Sequence, residues 1–446
     1  MEPKYILNND STKFDFVEEP LLIPLFKSIE NDHPNQLSML SLFSGCGGMD
    51  IGFEGGFICH RKSIPQNKNW IEKEINQDWV LLKKNRFNTI FANDILPEAI
   101  LTWSNYMQRF NKDTSIYHTD SIVELVKAHK NGANIFPENI DIVTGGFPCQ
   151  DFSVAGKRKG FDSDKSHDGK KTNTEVPTEE NRGKLYYWMK QVIDITKPKV
   201  FIAENVKGLV SLGDVRNIIQ KDFAAANDDG YIVLSPQVLH AGNYGVPETR
   251  ERVIFIGIRK SALRPEIRDI LESEEITDQY NPYPKPTHDY NINDNTLLPP
   301  VLCKDVLKHL KEPADSTDLS HLYYSKAKYM GKHCQGQTEI NLNSLAPTIR
   351  SEHHGNIEFR RLSIEHGGKY TEELMAGLQE RRLSPRECAL IQTFPPDYPF
   401  VKYKNYKKQF LVNQSGAYKV IGNAVPPIMA YNIAKRLEEL WPIYFD

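Results

Sequence analysis

Short runs rich in Val, Ile and Phe, each cut off by Gly, Asn, Pro or Asp, recur along the first 260 residues: SMLSLF before Ser44, NTIFAN before Asp94, IDIVTGG before Phe147 and KVFIAE before Asn205. Runs of this length and composition read as buried strands. Between them, Pro97 to Phe110, Ser121 to His129 and Leu185 to Thr196 read as helices, and RVIFIGI from Arg252 to Ile258 adds a late strand. Strand and helix in alternation point to an α/β fold with a mostly parallel, doubly wound sheet.

The chain has 446 residues, more than one ordinary domain needs. From Ser261 to about Gln379 the pattern changes to Pro, Asn, Asp and His clusters such as NPYPKPTHDYNINDN, as expected for a second, smaller domain. PPIMAYNIAKRLEELW then resumes helical spacing, with Pro427 in the first turn and Met429, Ile433, Leu437 and Leu440 on one face that needs the main core. The resulting division is an N-terminal extension (1–36), a catalytic domain (37–260), a second domain (261–380) and a segment returning to the first (381–446). The polar insertions 61–86 and 157–181 receive no element.

No apolar run approaches the roughly 20 residues that span a bilayer, and the start of the chain lacks the pattern of a secretory signal. A cytoplasmic monomer without membrane contact is expected. Six scattered cysteines lack C-x-x-C spacing, so neither disulfides nor a metal site is expected. The net charge of -3 does not favour nucleic acid, but binding depends on the local distribution of Lys and Arg.

LSLFSGCGGMDIGFEGGF passes from a strand into a glycine-rich turn, where Gly45, Gly47 and Gly48 permit either a tight turn or close approach of a ligand. No G-x-x-x-x-G-K-[ST] pattern is present, so a nucleoside cofactor fits better than a phosphate cradle. Asp94 and Asp120 stand after extended segments, suited to ribose hydroxyls and an adenine amine respectively, or to turn and cap roles. DIVTGGFPCQ presents Cys149 after a buried strand, at the carboxyl edge of the sheet where open α/β proteins bind ligands. KVFIAENV places Glu204 beside it, where burial raises a carboxyl pKa and lets it hold a proton near neutrality, unless it only caps a turn. Arg250 and Arg252, two apart, suit a base carbonyl or a phosphate.

Together the F-x-G-x-G turn, the P-C-Q cysteine, the E-N-V glutamate, the R-x-R pair and a late G-N-A-V-P resemble the DNA cytosine-5 methyltransferases of bacterial restriction-modification systems, in that family's order. The resemblance covers Leu40 to Gly257 and Arg381 to Leu440. It implies a Rossmann-like S-adenosylmethionine-dependent methyltransferase core with a target-recognition domain at 261–380. It further implies methyl transfer to carbon 5 of a cytosine flipped out of a specific duplex sequence, through a covalent Cys149 adduct at carbon 6. Cys149, Glu204, Arg250 and Arg252 form the implied catalytic set, with Arg252 on the base oxygen and Arg250 supporting the loop or a phosphate.

S-adenosylmethionine is assigned by the same resemblance to Phe43, Ser44, Gly45, Gly47, Gly48, Asp94, Ile95, Asp120, Ser121, Phe147, Asn423 and Val425. Double-stranded DNA is assigned to Gln150, Ser153, Lys157, Arg158 and Lys159 of a closing loop, and to Arg350, His353 and His354 of the recognition region. For any one of these a solvated surface is an equal reading. A cognate restriction endonuclease acting on the same site is the implied partner, with no direct contact. RRLSPRECALIQTFPPDY resembles the segment that brace the recognition domain, making Arg381 and Arg382 structural. Ser41, Ile95, Glu248 and Val420 depart from the family pattern, standing where aspartate, an aromatic, glutamine and glutamine are usual. A target on tRNA, or a relative without turnover, would keep the same core; the length of the 261–380 stretch argues for duplex DNA, and Cys149 with Glu204 for turnover.

Overall fold

A computed structural model describes residues 35–65, 69–108, 112–148, 185–211, 214–352, 354–404 and 409–445. In chain order the strands are β1 (Leu37–Leu42), β2 (Ile58–His60), β3 (Ile71–Glu74), β4 (Trp79–Leu82), β5 (Phe87–Asn93), β6 (Tyr117–His118), β7 (Ile142–Gly146), β8 (Val200–Val206), β9 (Tyr231–Val233), β10 (Gln237–His240), β11 (Glu251–Arg259), β12 (Phe359–Arg361), β13 (Arg381–Arg382), β14 (Lys402–Tyr403) and β15 (Phe410–Val412). The helices are α1 (Gly48–Glu54), α2 (Pro97–Met107), α3 (Ile122–Lys130), α4 (Leu185–Thr196), α5 (Val215–Ala224), α6 (Pro265–Leu271), α7 (Cys303–Leu307), α8 (Leu319–Leu322), α9 (Thr371–Met375), α10 (Pro385–Ile391), α11 (Gln414–Asn423) and α12 (Pro427–Tyr444).

The main sheet runs β10-β11-β8-β7-β1-β5-β6, with β9 also on β11. Pairing is parallel from β8 to β6 and antiparallel at β11, β10 and β9. Alternate residues of one strand point to opposite faces, and here both faces are buried. Met39, Ile142, Ile202, Ile254 and Ile256 join one core with α1, α2 and α12, while Leu40, Leu42, Val143, Phe201, Ala203, Val253 and Phe255 join another with α3, α4 and α5. That double burial is why the strands read as continuous apolar runs rather than as alternating ones.

Met429, Ile433, Leu437 and Leu440 of α12 are buried as the spacing predicts. The helix lies so close to α1 that a Cβ on Gly52 would sit 2.4 Å from the Ala430 Cβ. Ser121 caps α3 by accepting from Val123 N. The insertion 61–86 is not merely polar: Ile58↔Leu81 and Ile71↔Leu82 pairings build a three-stranded antiparallel sheet, β2-β4-β3, whose central strand is buried. The insertion 157–181 lies outside the described residues. In 261–380 the elements are few and short, and Ile267, Val301, Cys303, Ile340, Ile349 and Ile357 belong to the same core as α1 and α12.

Candidate active site

Chain order turns between β1 and β7: β5 and β6 lie on one side of β1, β7 and β8 on the other. A crevice at the carboxyl ends of the strands is expected at such a switch point. The glycine turn after β1 and the carboxyl end of β7 both lie there.

Side chains and backbone from several elements brace the turn. Asp94 Oδ2 accepts from Gly45 N (3.1 Å) and its Oδ1 from Leu96 N (2.9 Å). Tyr117 and Tyr398 donate their hydroxyls to the carbonyls of Gly45 (2.9 Å) and Cys46 (2.6 Å). Ser44 is tied to β5 by donating its backbone N–H to Asn93 O (2.8 Å). Gly47, at φ 81, leaves room for Trp103, whose Cδ1 would lie 2.6 Å from an added Cβ, and at Gly48 an added Cβ would meet Val425 O at 2.2 Å. Gly45, at φ 55, differs: its Cβ direction opens onto free space. Ile95 is exposed, as are Asp120 and Asn423, and Phe43 is half-buried, so open space, an apolar side chain and polar groups lie along the strand ends. Burial raises the pKa of Asp94 against the pull of its two backbone donors.

Ser41, where aspartate is usual, donates its hydroxyl to Asp50 Oδ1 (2.6 Å), and Trp103 Nε1 donates to Asp50 Oδ2 (2.7 Å). Asp50 is fully buried, and desolvation carries it to about 6 despite both donors. Nothing in the one-dimensional pattern singled Asp50 out.

On the other side of the switch point, Gly146 of β7 is in register with Glu204 of β8. A Cβ on Gly146 would lie 2.7 Å from Glu204 Oε2. Glu204 is buried and its Oε1 accepts from Arg252 Nε at 2.7 Å. Burial pushes the Glu204 carboxyl above its ordinary range, while Arg252 and then Arg250 oppose the shift. Next along β8, Asn205 donates from Nδ2 to Phe147 O (3.0 Å), fastening the strand to the chain two residues before Cys149. Sequence reasoning passed over Asn205; its place immediately after Glu204 was the available signal.

Several expected residues prove to have other neighbours. Arg250 is fully buried and donates to the carbonyls of Ile349 (3.1 Å), Gly422 (2.9 Å) and Ala424 (2.7 Å), so it ties β11 to the 349–350 segment and to the end of α11. That corrects its placement in the catalytic set: it is a positioning residue, because a guanidinium so enclosed cannot also reach a substrate. Arg350 donates to Gln335 Oε1 (2.8 Å) and Asn356 O (2.9 Å) and pairs with Glu358, which ties its guanidinium to the neighbouring loops. Phe147 is buried in the core beside Tyr186, with ring centroids 6.2 Å apart, and its side chain is a core group rather than a cofactor contact. Val425 is likewise buried and meets the glycine turn through its backbone. Glu248 is fully buried, accepts from Ile349 N (2.6 Å), and is carried by desolvation to about 7. His354 is exposed. Cys149, Gln150, Ser153, Lys157, Arg158, Lys159 and His353 lie outside the described residues.

Arg381 and Arg382 are structural, as expected. Arg381 pairs with Glu312 and Glu387, and Arg382 donates to the carbonyls of Ala327 (2.6 Å) and Lys328 (3.0 Å). Among the described residues no group of His, Cys, Asp and Glu is arranged to hold a metal, and no helix is long and apolar enough to cross a membrane.

Comparison with known proteins gives concordant matches. The model of the C-5 cytosine-specific DNA methylases matches residues 37–439. The Type II methyltransferase M.BsuRI of Bacillus subtilis is 30% identical over 421 residues, which cover 92% of this chain and 81% of that protein. The Type II methyltransferase M.BspRI of Lysinibacillus sphaericus is 29% identical over 416 residues, covering 91% and 82%. The solved S. pombe Dnmt2 methyltransferase shares the fold, with a TM-score of 0.51 at 17% identity over 91% of this chain and 99% of its own.

Proposed function

Because the chain belongs to the C-5 cytosine-specific DNA methylase family, its activity is methyl transfer to carbon 5 of cytosine in DNA, and we propose that it acts on a cytosine flipped out of a specific duplex sequence through a covalent Cys149 adduct. Its similarity to Type II methyltransferases supports a role in restriction-modification, with a cognate endonuclease cutting the same site. The observation that carries the mechanism is the buried Glu204–Arg252 pair, in register with the strand that leads to Cys149.

Carbon 5 of cytosine is a weak nucleophile and must be activated. The Cys149 thiolate forms a bond from Sγ to carbon 6, and the displaced π pair is directed toward carbon 5. Glu204, whose burial favours the protonated form, holds a proton at ring N3 and contacts the exocyclic amine, so the ring accepts the electron pair without a full negative charge. Arg252 orients Glu204 and holds the base oxygen. After carbon 5 gains the methyl group, a base removes its proton, the pair reforms the carbon 5–carbon 6 double bond and the thiolate leaves.

S-adenosylmethionine, the methyl donor general to this family, supplies an electrophilic methyl group when bound. The open space at Gly45 and the exposed Ile95, Asp120 and Asn423 fit such a ligand. Phe43, Ser44, Gly45, Gly47 and Gly48 would hold it with Asp94 toward the ribose and Asp120 with Ser121 toward the adenine. Asn423 would close the pocket from the returning segment, and Val425 would do so through its backbone. Groups within residues 261–380 would read the flanking bases, and 381–446 would complete the catalytic domain.

Bisulfite sequencing of plasmid DNA from cells expressing the protein, with Cys149→Ala as control, tests this reading. Protected cytosines in one short recurring context, lost in the variant, are the expected result. Unprotected DNA from folded protein would refute it, and protection that survives in Cys149→Ala would refute the covalent step.

A further inference from the structure

The chain as a whole is slightly acidic, with 58 Asp and Glu in 446 residues, yet none lies between Asp318 and Glu339 or between Asp397 and Glu438. The fold sets these two acid-free segments side by side. Tyr323 stands against the β14–β15 hairpin, its hydroxyl bonded to that of Tyr403 and its ring edge-on to Phe410 at 4.9 Å. Phe410 itself is exposed.

The first segment alternates. Lys326, Lys328 and Met330 are exposed, whereas Ser325 is buried and Ala327 and Tyr329 are half-buried. Period-two exposure puts the two lysines on one side, about 6–7 Å apart if the chain is extended. Their backbone is pinned from beneath: Ser325 N donates to Tyr418 Oη (3.1 Å), and the Arg382 guanidinium donates to the carbonyls of Ala327 and Lys328. Lys326 Nζ sits 3.5 Å over the Tyr324 ring, which holds the charge at the surface without a carboxylate. Lys332 of the same segment and Lys404 of the hairpin are also exposed, and among the described residues none of Lys326, Lys328, Lys332 and Lys404 pairs with a carboxylate. Solvated lysines on an acidic protein ordinarily alternate with acids. Fixed lysines interleaved with tyrosines and free of acids are instead the chemistry of a polyanion contact.

Both segments converge on α11. Tyr418 of that helix accepts from Ser325 N, β15 leads through the Asn413 cap into its first turn, and its last residue is Asn423, one of the residues assigned to the site above. We propose that Lys326, Lys328 and Lys404 form a second DNA contact, which holds the phosphates of duplex flanking the methylated site and reads no bases. The proposal rests on the function assigned above. Such a contact raises affinity for long duplexes and leaves the choice of cytosine unchanged.

The test is a Lys326→Gln/Lys328→Gln/Lys404→Gln variant of the full chain. Fluorescence anisotropy on a 40-base-pair duplex is titrated across salt, and bisulfite sequencing of plasmid DNA is run in parallel. The expected result is a tenfold to hundredfold weaker Kd at low salt and a log Kd against log salt slope shallower by about 2–3, at about 0.9 per lost phosphate contact. The methylated context should stay the same. An unchanged slope and Kd would overturn the proposal. Plasmid left unmethylated by the parent chain would instead count against the proposed function, and the salt slope would still decide the surface.

Discussion

Arg252 Nε lies 2.7 Å from Glu204 Oε1, a diagonal pair across antiparallel strands in which Arg252 faces Val206 and Glu204 faces Ile254. The guanidinium is the largest influence opposing the upward push of burial on Glu204. Arg252→Ala is therefore expected to lower kcat by about 10²-fold or more and to let Glu204 keep its proton to higher pH. The alkaline limb of the kcat profile should move upward, with partial recovery in Arg252→Lys. A drop in kcat with an unmoved profile would leave Arg252 a purely structural group.

Gly146→Ala tests the other flank of the same carboxylate. The added methyl would sit 2.7 Å from Glu204 Oε2, so the carboxyl must move. A loss of about tenfold to hundredfold in kcat is expected, since small misplacements of catalytic groups cost that much. Affinity for the methyl donor should hold, because the glycine turn lies across the switch point. Unchanged kcat in a folded variant would show that Glu204 tolerates displacement.

Glu248 is a buried acid whose folded pKa, about 7, lies above its ordinary value near 4.5. The folded state thus binds the proton more tightly, and the associated stability is fully present below pH 4.5 and lost as pH rises through 7. Glu248→Gln retains an acceptor for Ile349 N and removes the titration. In urea unfolding, its advantage over the parent should be nearly absent at pH 4 and grow to about 1–3 kcal/mol by pH 8. A difference that does not vary with pH would reject the neutral-acid account.

Asp94 spends one carboxylate oxygen on Gly45 N and the other on Leu96 N. Asp94→Ala frees both donors and loosens the glycine turn, besides removing the proposed ribose acceptor. Calorimetry should show S-adenosylmethionine binding weakened about tenfold or more, as loss of charge-assisted hydrogen bonds implies. An unaltered Kd would remove Asp94 from the cofactor site.

The parts of the fold that a reader can find in the sequence are those set by burial along one segment. β1, β5, β7, β8 and β11 announce themselves because both faces of each strand are apolar, and α12 because Met429, Ile433, Leu437 and Leu440 repeat at helical spacing. The β2-β4-β3 sheet escaped notice because Trp79–Leu82 is a brief apolar run among polar residues, and its partner Ile58–His60 lies on the far side of the polar segment that carries β3. Arg250 was misjudged for a related reason. An arginine at the entry to a strand suits a base carbonyl or a phosphate, and only the arrival of Ile349, Gly422 and Ala424 from distant sequence encloses it. Glu204 was legible because its neighbour in register, Gly146, belongs to the same pattern of consecutive parallel strands.

The carbonyl of Val425 roofs Gly48, and Ala430 presses on Gly52. A ribosome that has made the first 400 residues has therefore made every strand of the main sheet, yet not the wall against which its first glycine turn packs. The nascent chain carries Cys149 and Glu204 long before this wall exists, so competence to modify DNA should wait until Val425 and Ala430 have been made and have left the ribosome, rather than growing in step with chain length.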